Sequence, residues 1–173
     1  IQTAGLIAGL FGFMNLFARS LGGAFCDRYG NKYGLKGRVH FLFGVLLLEG
    51  ILMVVFSQVS YLPLAIATMI LFSLFVQMSE GATFSVVPFI NKKAMGSVSG
   101  IVGAGGNMGA VAAGFLFKSE SLSYPQALFI LGIAVVVASF ATLTIQFSTQ
   151  DEQTGSTESV PQLVPAPVHS EVN

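Results

Sequence analysis

GSVSGIVGAGGNMGAVAAG, residues 96–114, admits two opposed readings, and the choice between them decides the fold. As a turn between strand and helix it would cradle phosphates in a nucleotide-binding domain. As a helix it must tolerate seven glycines and one asparagine, although glycine is a poor helix former and asparagine is costly in lipid. No strand pattern precedes the stretch and no Gly-Lys-Ser/Thr follows it, so the phosphate-loop reading fails. The rest of the chain supports the helix. Of 173 residues 53% are hydrophobic and only 9% charged, whereas soluble domains carry roughly a quarter charged residues. Mean hydropathy is +0.76. This is the composition of a membrane protein.

Working outward, five apolar runs reach the roughly 20 residues needed to cross hydrocarbon. They cover 3–25, 39–56, 63–90, 94–117 and 125–147. The third is long enough to tilt or bend, with Gly81 and Pro88 as places to do so. The connections are 26–38, 57–62, 91–93 and 118–124. Alternating them across a bilayer puts Arg28, Lys32, Lys36, Arg38, Lys92 and Lys93 on one side and only Lys118 on the other. The positive-inside rule makes the first side cytoplasmic and places Ile1 outside. Residues 1–147 thus read as one all-α bundle of five transmembrane helices. Residues 148–173, polar, acidic and proline-containing, read as a disordered cytoplasmic tail. The chain opens inside an apolar run with no basic n-region or cleavage motif, and reads as the C-terminal piece of something longer.

Several function classes are disfavoured. Net charge is zero, which by itself says nothing about nucleic acid, and no basic patch interleaved with aromatics points to it. One cysteine and two widely separated histidines leave no framework for a metal site, and no cofactor is implied. No nucleophile, base and orienting group fall together at workable depth, so an enzyme is not expected.

Three features stand out against lipid. Arg19 lies eight residues before Asp27, about 12 Å of helix and hence near mid-membrane. A cation at that depth costs at least about 2.5 kcal/mol unless it meets a polar cavity or partner. Asn15 precedes it by four residues and shares its face, so the pair offers a guanidinium fork and an amide to an anionic ligand. The alternative is that a buried carboxylate in a portion outside this sequence neutralises Arg19. Glu80, set among Gln77, Ser79 and Thr83, suits a cavity-lining helix and could pair with Arg19 or titrate during transport; Glu49, in an otherwise apolar helix, reads as structural or protonated. Finally, Gly96, Gly100, Gly103, Asn107, Ala110 and Gly114 form one helical stripe with almost no side chains, flanked by Gly105, Gly106 and Gly109. Such a face lets another backbone approach closely, with Asn107 buried against it or beside a ligand.

The segment Gly23-Ala-Phe-Cys-Asp27-Arg28-Tyr-Gly30 resembles the cytoplasmic G-x-x-x-D-R-x-G signature of the major facilitator superfamily, in its copy between helices eight and nine. The resemblance implies a conformational latch of Gly23, Asp27, Arg28 and Gly30, with Asp27 at a neighbouring helix N-terminus and Arg28 on a carboxylate. Asn31 departs from the usual basic residue. Ala18-Arg19-Ser20-Leu21-Gly22-Gly23, with Gly103-Ala104-Gly105-Gly106-Asn107-Met108-Gly109, is similar to the nitrate/nitrite porter family. Gly81-Ala82-Thr83-Phe84 through Pro88-Phe89 resembles its eukaryotic high-affinity members. The likeness covers residues 1 to about 147, as helices 8–12 of a major facilitator bundle.

What the resemblance implies is a secondary transporter for nitrate or nitrite working by alternating access, with proton coupling. Arg19 would be one of two nitrate-clamping arginines, the other lying in an N-terminal half outside this sequence. Asn15, Asn107, Gly103 and Gly106 would line the substrate site, and Glu80 is the candidate coupling residue. Its partners would be the lipid bilayer of the plasma membrane, that N-terminal half and an accessory membrane subunit. Two other readings stay open: a carrier for another small anion, and a nitrate-sensing receptor.

Overall fold

The computed structural model describes residues 2–147. They form α1 (Gln2–Gln58), α2 (Leu62–Val86), two short 3-10 turns at Val87–Phe89 and Lys92–Ala94, α3 (Met95–Lys118) and α4 (Tyr124–Thr142). All four α-helices are long and apolar enough to cross a membrane. The expected tail, 148–173, lies outside the described residues.

The expected connection at 26–38 is not a loop. α1 runs helically through it and breaks at one residue, Gly34, with φ 70° and ψ −164°. A straight helix would separate Cys26 from Arg38 by about 18 Å. Instead the Cys26 thiol lies 3.8 Å from the Arg38 carbonyl oxygen, so α1 is a hairpin of two arms, 2–33 and 35–58. The cause is local. Helix satisfies the backbone hydrogen bonds of this polar stretch residue by residue, and only glycine adopts such a conformation without strain.

The third run is also shorter than expected as α-helix. Pro88 has no N–H to donate; α2 ends at Val86 and the chain tightens into the turn Val87–Phe89. Gly81 is not a bend. The Asn91 side chain then accepts from the backbone N–H groups of Lys93 and Ala94, both at 3.1 Å, just before α3. α4 begins with a capping box in which Ser123 and Gln126 hold each other. It stops at Thr142 rather than reaching 147; beyond it, Phe147 packs back on the core formed by Cys26, Leu42, Ala82 and Val86.

Both arms of α1 lie against α2. On the first arm, buried Ala18, Gly22 and Cys26 recur every four residues and present small atoms to α2. A Cβ on Gly22 would stand 2.2 Å from the Met78 carbonyl oxygen, and one on Gly81 2.0 Å from that of Arg19. The second arm stacks Phe56 on Phe72 of α2 and packs Phe43 edge-on against Phe140 of α4. It crosses α4 at a second glycine pair, Gly50 and Gly132, where added Cβ atoms would come within 2.7 Å of Val136 and Val54. α3 buries none of its residues. The many exposed Phe, Leu, Ile and Val side chains form the outward face expected of a bundle in hydrocarbon.

Candidate functional site

Arg19 points from the first arm towards α2, where its Nη1 lies 3.0 Å from Glu80 Oε1. The close crossing at Gly22 and Gly81 holds the two backbones near enough for this pair to form. The guanidinium also sits 5.3 Å from the centre of the Phe84 ring, one turn beyond Glu80, and the ring face stabilises the cation. Neither partner is sealed. The Arg19 side chain is 45% and the Glu80 side chain 43% exposed, so both can reach whatever occupies the space beside this face. Asn15 is exposed and has no side-chain hydrogen bond among the described residues. The pairing of Glu80 with Arg19 that the sequence leaves open is thus present, in an open rather than buried setting.

Of the residues expected to form a latch, Asp27 and Gly30 meet Arg38 at the Gly34 end, with different partners from those the signature implies. The cation on Asp27 is Arg38, whose Nη1 bonds Asp27 Oδ1; Ser85 Oγ donates to the same oxygen at 2.5 Å and accepts from Arg38 Nη1 at 2.7 Å. This joins both arms to the C-terminal end of α2, where the expectation was a helix N-terminus. Arg38 is buried, lies 4.6 Å from the centre of the Phe89 ring, and crosses directly over Gly30. A Cβ on Gly30 would be 2.4 Å from Arg38 Nε, which gives a physical reason for that glycine. A Cβ on Gly23 would stand 3.7 Å from the Gly81 carbonyl oxygen, an ordinary contact. Arg28 is exposed and has no ion pair among the described residues, because the hairpin brings Arg38, not Arg28, onto the inner face.

Asn107, Gly103 and Gly106 are not brought to Arg19 within this chain. α1 and α3 share no packed interface, and a Cβ added at any glycine of the α3 stripe meets nothing within 4 Å. Between the arms and α2 lies polar chemistry the sequence only half disclosed. Glu49 bonds Ser79, while buried Ser73 Oγ and Gln77 Oε1 have no partner among the described residues. Arg38 and Ser85 were missed because their value depends on a reversal at Gly34, which neither residue signals alone. Gly22, Gly50 and Gly132 did carry a signal: an isolated glycine in an apolar helix usually has a packing reason.

An arginine with an exposed carboxylate partner at one end of a glycine crossing, and an Asp–Arg–Ser clamp at the other, can be set beside known proteins. "High affinity nitrate transporter 2.5" of Arabidopsis thaliana is 39% identical over 148 residues, 85% of this chain and 30% of that relative. The chain is a homologue of the nitrate transporters. "Nitrate transporter 2.1" of Chlamydomonas reinhardtii is 42% identical over 111 residues, covering 64% of this chain and 20% of the relative. "Nitrate/nitrite transporter NrtP" of Nostoc punctiforme is 36% identical over 139 residues, 80% of the chain and 27% of the relative. This nitrate-transporter homologue spans about 30% of the length of the first of these relatives. No family model matches the chain, and no solved structure does.

Proposed function

We propose that this chain forms part of a major facilitator carrier that moves nitrate or nitrite across a membrane by alternating access, with Arg19 as an anion ligand. The carrying observation is the Arg19–Glu80 pair. A guanidinium gives a planar oxyanion two parallel hydrogen bonds, as it does a carboxylate. Glu80 holds the guanidinium through Nη1, and in this reading an arriving anion exchanges with it. Glu80, released from Arg19 in that exchange, is the candidate coupling residue.

In this reading Asn15 adds an amide on the Arg19 face, and the second arginine comes from an N-terminal half. The open α3 face, with Gly103, Gly106 and Asn107, slides against another part of the same bundle. Gly23, Asp27, Arg28 and Gly30 belong to the latch that holds one conformation. Arg28, Lys32, Lys36 and Arg38 flank the reversal at Gly34, and Lys92 and Lys93 follow α2 at the same end. That distribution supports a cytoplasmic Gly34 end and a cytoplasmic tail. Plasma-membrane residence and an accessory membrane subunit complete the proposal.

Arg19→Lys in the full-length protein tests it. Lysine keeps the charge but loses the fork, so the KM for nitrate uptake should rise by about tenfold or more, equivalent to about 1.4 kcal/mol, with membrane expression unchanged. An unaltered KM in a normally expressed variant rejects Arg19 as the ligand.

A further inference from the structure

Glu49 has no place in the site above, yet its surroundings are unusual. It lies on the second arm, next to the Gly50 crossing with α4, and is buried at 8% exposure. Its side chain reaches α2, where Oε2 is 2.5 Å from Ser79 Oγ. That same Oγ is 2.9 Å from the Val76 carbonyl oxygen. A serine hydroxyl has one proton to donate, a carbonyl only accepts, and an ionised carboxylate only accepts. With Glu49 ionised, Ser79 satisfies one neighbour and leaves the other facing an oxygen lone pair. With Glu49 protonated, one chain of donors closes: Glu49 O–H to Ser79 Oγ, and Ser79 O–H to Val76 O.

Among the described residues Glu49 has no ion pair, and the cation nearest along α2, Arg19, is held by Glu80. The only ionisable residue of α2 is Glu80, which faces the first arm and holds Arg19. α4 carries no Asp, Glu, Lys, Arg or His, only Tyr124 at its start, and α3 carries Lys118 alone. On the second arm Lys36, Arg38 and His40 sit at the Gly34 end, at least nine residues or about 13 Å of helix away. Apart from Arg19, the first arm gathers Cys26, Asp27, Arg28, Tyr29, Lys32 and Tyr33 at that end too. A carboxylate buried without a cation is costly, and such a group neutralises instead.

We propose that Glu49 is a proton-binding site, distinct from the Arg19–Glu80 pair, whose proton bridges the second arm to α2. When the two helices part enough to admit water, the Glu49 O–H bond breaks and the proton passes to water as hydronium. The carboxylate left behind draws the Ser79 hydroxyl away from Val76. Reprotonation restores the bridge. Glu49 thereby links proton binding to the packing of these two helices, and its part in driving anion movement rests on the transport reading above.

Infrared titration of the full-length protein in lipid tests the site directly. A protonated-carboxyl stretch should be present at neutral pH in the wild type and in Glu80→Gln, and lost in Glu49→Gln. Its absence from the wild type, or its survival in Glu49→Gln, overturns the proposal. Should Glu49→Gln fail to fold, Ser79→Ala keeps the carboxyl but removes its acceptor, so the band must shift; an unmoved band also overturns it. In proteoliposomes, acceleration of nitrate uptake by an inward proton gradient, taken relative to uptake without one, should be lost in Glu49→Gln. Retained acceleration refutes the coupling role and leaves the nitrate reading intact. A wild type that moves no nitrate refutes the nitrate reading, and the infrared band then decides Glu49 alone.

Discussion

Two sets of glycines divide this molecule. Gly22 and Gly81 sit where two helices touch so closely that a carbonyl oxygen occupies the space of a missing Cβ, and Gly50 and Gly132 make a second close crossing, where Val136 and Val54 fill that space. The glycines of α3, which are far denser in sequence, face open space at every position. Density of small residues thus does not locate contact within the chain. The sparse pairs weld α1 to α2 and α4, while the dense stripe leaves α3 thin and unengaged, a surface without ridges that another helix can pass along. One set is for holding and the other, in the proposed carrier, for moving.

Substitutions can break this contrast. The largest effect is expected for Gly81→Ala, since the added methyl group meets backbone rather than a side chain that can swing away. Overpacking of this kind should cost about 3 kcal/mol, read as a fall in the thermal stability of the purified full-length protein, and should also disturb the Arg19–Glu80 pair beside it. Gly34→Ala comes next. Nothing lies within 4 Å of a Cβ there, so the cost is backbone strain alone, about 1 to 3 kcal/mol, measured by the same melting experiment. The smallest stability effect belongs to Gly103→Leu, within about 0.5 kcal/mol of wild type, accompanied by a clear loss of nitrate flux in vesicles. If Gly103→Leu melts as early as Gly81→Ala, the stripe is a packed interface after all; if flux is normal, it is not a sliding one.

The apolar runs were legible in sequence because hydrocarbon thickness fixes their length, and Arg19 and Glu80 stood out because ionisable groups are rare in such runs. Their pairing was open on sequence alone, since helices crossing at glycine can bring residues together from far along the chain. The loop at 26–38 was misread for a physical reason. A polar stretch between two spans looks like a loop, but Asp27, Arg28, Lys32 and Lys36 do not interrupt a helix, and a single glycine suffices to turn it. The same error hid the partner of Asp27. In the signature Arg28 is adjacent, whereas in three dimensions Arg38 returns from the second arm and passes over Gly30. Helix ends at Val86 and Thr142 were blurred because hydropathy continues past the last helical residue.

The one-residue reversal at Gly34 has a mechanical corollary. A hinge loop of several residues would let each arm of α1 slide independently, but with a single joint and the Arg38–Asp27–Ser85 clamp beside it there is no slack to take up. Tilting either arm must drag the other, so Arg19 on one limb and the buried Glu49 on the other ride the same lever.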